Sequence, residues 1–178
     1  MALSYTIRSG QKQLRCGYTT GTCAALAAAG AAFWLLTGQK PAELSLVTPK
    51  GIPVQVEPAC VRWEGEAAVC GVRKDGGDDI DVTHGLIIEA HVQKSEYPGV
   101  LIEGGQGVGR VTKPGLDQPV GAAAINRVPR QMIKKEVTKV QKTCGYLGGL
   151  SVTIVIPHGE EAAKKTFNPH LGIEGGLS

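Results

Sequence analysis

Residues 74–85 read Lys-Asp-Gly-Gly-Asp-Asp-Ile-Asp-Val-Thr-His-Gly. Asp75, Asp78, Asp79 and Asp81 crowd around Gly76 and Gly77 and lead to Thr83 and His84. Like charges this close repel, and paired glycines weaken any helix or strand they interrupt. A segment that disfavours regular structure, inside a chain rich in helix and strand signals, points to a site. Asp78 and Asp81 are candidate catalytic carboxylates. His84, with Asp81 nearby, is a candidate general base, since a neighbouring carboxylate favours its protonated form. The competing readings are a solvated acidic turn, because Asp and Gly are turn formers, and a hydrogen-bonded structural histidine.

A second segment, residues 104–110, reads Gly-Gly-Gln-Gly-Val-Gly-Arg. It does not match the dinucleotide fingerprint, because Arg110 stands where the third glycine would be. It is not a P-loop either, since no Gly-Lys-Ser/Thr follows. Glycines 104, 105, 107 and 109 would let backbone N–H groups approach a ligand, and Arg110 and Lys113 add positive charge. That combination suits an anion. A sheet corner or β-bulge would use the same glycines. Residues 14–22 deliver a helix start preceded by Thr19, Thr20 and Thr22, which suits either an anion or ordinary N-capping. His91 alternates with apolar neighbours and reads as structural; His158 and His170 carry little signal. There is no nucleophile elbow, zinc signature or kinase motif set.

The elements that must position these residues follow from pattern. Residues 1–13 read as a polar lead-in. An alanine-rich buried helix is expected over about 23–37, closed by Gly38 at C′ and by Pro41. Strands are expected at 43–48, 52–56, 59–63, 67–73, 86–92 and 100–103, with turns at 49–51 and 64–65. A helix over about 130–142 places Met132, Ile133, Val137 and Val140 on one face and lysines on the other. An apolar strand at 150–156 and a short helix opening at 157–161 follow. Together these imply an α+β fold, a mixed sheet packed against helices. The expected organisation is a glycine-loop-rich domain over 1–148 and, over 149–178, the start of a further α/β region.

Bulk numbers exclude several classes. The chain has 178 residues, a 42% hydrophobic share, 20% charged residues and a net charge of +3, which fits a globular domain with a real core. It has no Lys/Arg run for a phosphate backbone and only 4% aromatic residues for base stacking, so nucleic acid is not expected. The apolar run at 23–36 lacks a cleavage site and is shorter than the roughly 20 residues of a membrane span. It reads as a buried helix of a cytoplasmic protein. The five cysteines include no C-x-x-C pair and read as buried thiols; a metal shared by Cys16 and Cys23 with a distant His is the weaker reading.

Four strings taken together resemble the CbiD family of cobalt-precorrin-5B C1-methyltransferases of cobalamin biosynthesis. They are residues 14–25, the acidic stretch 74–85, Gly-Val-Gly-Arg-Val-Thr-Lys-Pro-Gly-Leu at 107–116, and Lys-Lys-Thr-Phe-Asn-Pro-His-Leu-Gly-Ile at 164–173. The resemblance implies transfer of a methyl group from S-adenosylmethionine to ring carbon C1 of a cobalt macrocycle, giving cobalt-precorrin-6A. Cobalt would then enter only as part of the substrate, with no metal held by the protein. It also implies a full-length protein about twice this size. The macrocycle's carboxylates would meet Arg110, Lys113, Arg127, Arg130 and Lys74. Asp78 or Asp81 would stabilise the sulfonium or manage a proton. A small-molecule corrinoid is the expected partner, with a homo-oligomer left open. The alternatives are a non-catalytic binding domain for an anionic tetrapyrrole or nucleotide, and a structural partner protein.

Overall fold

The computed structural model describes residues 6–9, 12–78, 81–165 and 172–178. Asp79, His170 and the 166–171 part of the last motif lie outside the described residues. The chain opens with β1 (Thr6–Ser9) and β2 (Lys12–Arg15), paired antiparallel. The lead-in expected over 1–13 is therefore partly a hairpin; β-branched Thr6 and Ile7 are the strand formers the polar composition concealed.

α1 (Thr20–Thr37) starts three residues before the expected Cys23, because Thr19 takes the N-cap and accepts the Thr22 N–H at 3.1 Å. Gly38 ends it in the left-handed conformation (φ 72°), with its N–H on Trp34 O at 2.8 Å. Residues 21–28 of α1 are all buried. Its small side chains allow the close approach: a Cβ at Gly30 would lie 2.7 Å from Leu44 Cδ2 and 2.8 Å from Cys70 Sγ.

β3 (Leu44–Val47) and β4 (Pro53–Val56) form a hairpin. β5 (Cys60–Glu64), β6 (Ala67–Arg73), β7 (Ile87–Ser95), β8 (Val100–Gly104) and, later in the chain, β11 (Gly149–Val155) form the main sheet in the order β5-β6-β7-β11-β8. β11 runs antiparallel to β7 and parallel to β8, so the sheet is mixed as expected. The sequence reading placed a boundary at 148/149; in the structure β11 fills the interior of the same sheet.

α2 (Arg127–Cys144) begins at Arg127 rather than Arg130. Pro129 is tolerated there because first-turn N–H groups have no intrahelical partner to lose. α1 and α2 pack on each other on one face of the sheet, over Cys70, Val72, Ile88, Ala90, Leu150 and Val152, with Ile133 and Val137 of α2 fully buried. Each such aliphatic side chain contributes roughly 1.5–3 kcal/mol. On the opposite face Glu89 receives two Arg62 bonds (2.9 and 3.0 Å) and one from His91 (2.9 Å), so His91 is structural.

The expected loop over 104–116 instead contains two short strands, β9 (Gly107–Val108) and β10 (Arg110–Val111). They pair with β13 (Gly176–Leu177) and β12 (Ile173–Glu174), respectively, after α3 (Gly159–Lys164). These distant pairings supply the partners that no local pattern reveals.

Candidate functional site

The register places several chain ends at one edge of the sheet. Arg73 faces Ile87, Glu89 faces Val155, and Ile154 faces Gly104. The exits of β6, β8 and β11 and the entry of β7 therefore lie together. Across β6 to β8 this edge spans roughly 14 Å, at about 4.8 Å per strand. α1 is tied to it by the Tyr18 N–H on Asp75 O at 3.1 Å and by a bridge between Cys16 and Gly77. α2 starts here too: a Cβ on Gly21 of α1 would lie 2.9 Å from Pro129 Cγ. Residues 14–22, 74–85, 104–110 and 126–130, far apart in sequence, thus meet at the carboxyl ends of the parallel pair β8 and β11. Open sheets with parallel strands bind ligands at such an edge.

The acidic loop is closed at its base. Lys74 N–H reaches Leu86 O at 2.8 Å, and Gly85 N–H reaches Lys74 O at 2.9 Å. Asp75 Oδ1 accepts the Gly77 N–H at 2.8 Å. Asp81 Oδ1 accepts the Thr83 N–H (2.8 Å) and the Thr83 hydroxyl (2.5 Å), and Lys74 Nζ stands 3.7 Å away. Partial burial opposes ionisation of Asp81. The Thr83 bonds outweigh it, helped by the Lys74 ammonium, and hold the carboxyl below its ordinary value. Asp81 is therefore a fixed anion at neutral pH. His84 faces elsewhere: its Nδ1 accepts the Gly76 N–H at 2.9 Å. Nε2 therefore carries the ring proton of the neutral imidazole and can act as a donor, and the His84 and Asp81 side chains do not form a hydrogen-bonded dyad. Asp78 is exposed on the rim of the same loop.

The glycine loop differs. Gly105 N–H donates to Ile154 O, Val108 N–H to Gly105 O, and Gly109 N–H to Leu177 O. A Cβ at Gly107 would lie 1.9 Å from Ile156 O, and one at Gly104 would lie 2.7 Å from Val108 Cγ1. The bare faces of these glycines are filled by the chain itself, the arrangement of a sheet corner rather than a cradle of free donors.

The expected cations divide into two groups. Arg110 pairs with Glu103 at 2.8 Å and donates to Gly104 O at 2.9 Å. Arg130 donates to Ile125 O (2.6 Å), Ala123 O (3.1 Å) and Ile102 O (3.4 Å). Both are engaged internally. Lys113 and Arg127 are exposed, and neither charged group forms an ion pair among the described residues. Lys74 is buried against Asp81. Of the threonines, Thr22 is buried with its hydroxyl 3.0 Å from that of Thr19, while Thr20 lines a cavity of about 90 Å³. Val108, Ile154, Ile156 and Pro129 form its apolar wall, and Asn126 stands at its rim.

Sequence reasoning missed two residues here. Asp117 Oδ2 accepts the Arg127 N–H at 2.7 Å and takes over the capping that the Asn126 side chain does not perform. A cap placed ten residues upstream leaves no local signal. His158, at the exit of β11, holds a left-handed backbone (φ 64°), and Pro-His-Gly does not announce it. Among the described residues, no three His, Cys, Asp or Glu side chains gather as a metal ion would need, and all five thiols are free.

Fold and edge together define an α+β domain with a one-sided mixed sheet and a ligand-type opening at the carboxyl ends of its parallel strands. The CbiD family model matches residues 7–178, and the chain belongs to the CbiD family. It is 53% identical over 94% of its length to a protein of Geobacillus kaustophilus, and 51% identical over 98% to one of Ruminiclostridium cellulolyticum. Both are named cobalt-precorrin-5B C(1)-methyltransferase. In each case the match covers 45% of the relative, so the chain spans about half the length of the curated relatives it matches. A crystal structure of the cobalamin biosynthesis protein cbiD from Archaeoglobus fulgidus is 36% identical, with a TM-score of 0.70. That match covers 97% of this chain and 54% of the other.

Proposed function

We propose that this chain supplies the macrocycle-binding part of a cytoplasmic cobalt-precorrin-5B C1-methyltransferase. In the complete enzyme, a methyl group would pass from S-adenosylmethionine to ring carbon C1, giving cobalt-precorrin-6A. The observation that carries the reading is that residues 14–22, described residues of 74–85, and 107–110, which fall in three of the four strings through which the chain resembles the family, lie along one end of the sheet. The names of relatives at about 50% identity support the chemistry.

In this reading the exposed Arg127 and Lys113 take carboxylates of the macrocycle, and Thr20 and the apolar wall behind it seat its edge. Arg110 and Arg130 act one step back, by fixing the corner from which these residues project. Asp81, held ionised, and Asp78 on the same rim offer negative charge to a cationic sulfonium. His84, whose Nδ1 accepts the Gly76 N–H, can present its Nε2–H as a hydrogen-bond donor to the macrocycle. The donor arrives already activated: its carbon–sulfur bond breaks as the new carbon–carbon bond forms. Positioning and exclusion of water are then the protein's main tasks. Engagement of the Gly104, Gly105, Val108 and Gly109 N–H groups within the chain weighs against the glycine loop as a donor cradle.

That last observation favours a second reading, a domain that binds the anionic tetrapyrrole without catalysing its methylation. Titration of the chain with a polycarboxylate cobalt corrinoid, and separately with S-adenosylmethionine, separates the two. The corrinoid should bind, and Arg127→Ala with Lys113→Ala should weaken it about tenfold; absence of corrinoid binding would defeat both readings. In a full-length enzyme with these residues, Asp78→Asn or Asp81→Asn should lower turnover or donor affinity. If neither change has any effect, the role given to the two aspartates is wrong.

A further inference from the structure

α2 carries a cationic face that no other part of the described chain covers. Lys134, Lys135, Lys139 and Lys142 recur at spacings that bring them to one side of the helix, and all four are exposed. Among the described residues only Lys139 has an acidic partner, Glu136 at 3.4 Å, and Glu136 itself is buried. A helix face that merely keeps a protein soluble mixes charges of both signs. Here the one carboxylate on the helix is buried beside Lys139, and the exposed charges of this face are all positive. A hollow of about 350 Å³ lies among the lysine side chains and Gln131.

Beside it runs a groove of about 260 Å³ between α2 and the end of β3. Leu46, Val47, Pro49, Val128 and Met132 form its apolar lining, completed by Gln131, Lys135 and the Glu136 carboxylate that pairs with Lys139. Val47 is 54% exposed and Val128 48%, so apolar surface faces solvent there. The groove has no aromatic side chain on which a base could stack, which disfavours a nucleic acid. It is a pit rather than a protruding apolar wedge, which disfavours insertion into a membrane.

We propose that this face docks an acidic helical segment of a partner protein, with one or two aliphatic side chains in the groove and carboxylates on the lysine row. An amphipathic helix seated in an apolar groove with a charged rim is a recurring recognition mode, and the rim charges set the rate and salt dependence of the encounter.

The test uses a fluorescein-labelled peptide of glutamate with leucines on one helix face, measured by fluorescence anisotropy against the 178-residue chain. The comparison probes are a leucine-free polyglutamate and a single-stranded DNA of similar length. Leucine–glutamate peptide should bind, weaken at raised salt, and lose about tenfold in affinity with Lys134→Glu/Lys135→Glu. Val128→Ser should weaken it several-fold without changing its salt dependence. The substituted side chains are exposed, so circular dichroism and thermal melting should match the parent. Equal binding of polyglutamate or DNA would reduce the face to a general polyanion surface and overturn the proposal. So would no binding, or binding indifferent to both sets of substitutions.

Discussion

At the sheet edge, the loop after β8 and the loop joining β6 to β7 both carry glycines and charge, yet they are built for opposite ends. The first is solid. Backbone packs on its backbone through glycines of other segments: a Cβ on Gly159 of α3 would lie 2.5 Å from Gly107 O, and one on Gly176 of β13 would lie 2.3 Å from the same oxygen. The second is closed at its neck by Lys74, Gly85 and Leu86 and tied to the start of α1 through Asp75 and Gly77, and it leaves Asp78, Asp81 and His84 exposed. Similar composition therefore serves packing in one loop and presentation of side chains in the other. The contrast shows at single glycines: a Cβ on Gly107 would meet Ile156 O at 1.9 Å, whereas one on Gly85 would meet nothing within 4 Å.

The largest effect should come from Gly107→Ala. The new methyl would meet Ile156 O at 1.9 Å, on a backbone at φ 81° that L-residues rarely adopt. Backbone on both sides leaves no flexible side chain to yield. The loss should be about 3 kcal/mol or more, read as a fall in the urea midpoint or as failure to fold. A near-neutral result would mean that the loop after β8 is not solid, and the contrast would collapse. Arg130→Met should come next. The guanidinium satisfies Ile125 O, Ala123 O and Ile102 O, and Ala123 packs on Gly104 of the same corner. Ala123 O keeps the Ile125 N–H at 2.8 Å, but removing the donor to Ile125 O and Ile102 O in a half-buried place should cost about 2 kcal/mol in chemical denaturation. Arg110→Ala, which removes an exposed ion pair with Glu103, should cost well under half of that.

The distinction between the loops was only partly legible in the sequence. The alanine run, the hairpin at 44–56 and the amphipathic lysine helix follow from periodicity and caps, which act within a few residues. The four segments of the edge could be named as sites individually. Their meeting depends on β11 slotting between β7 and β8, a pairing across more than fifty residues from Glu89 to Val155 that no local pattern encodes. The same holds for the glycine loop. Its backbone donors look free in sequence and are engaged because the segment at 173–177 returns to pair with it. Arg130 illustrates the point for charge: its type suggests a carboxylate ligand, whereas its three bonds go to backbone carbonyls. Side-chain chemistry was readable from the chain, but its direction was not.

Asp81→Asn should have the smallest effect on stability and gives the sharpest test of the open loop. The carboxyl is 60% exposed, so its bonds to Thr83 and its pairing with Lys74 stabilise the fold by well under 1 kcal/mol. The sign follows from its lowered value. The unfolded chain binds the proton at higher pH than the folded one, so the contribution is present above the ordinary carboxylate range and fades as pH falls through the folded value. Urea midpoints measured from neutral pH down to about 3 should show the parent losing its small advantage over the Asn variant toward the acid end. An Asn variant that is destabilised equally at all pH values would show that the residue braces the loop through hydrogen bonds rather than charge. In a full-length family enzyme, the same substitution should act on donor affinity or turnover far more than on melting. A loop built to present a fixed anion predicts that separation, whereas a loop built like the one after β8 predicts that activity and stability fall together.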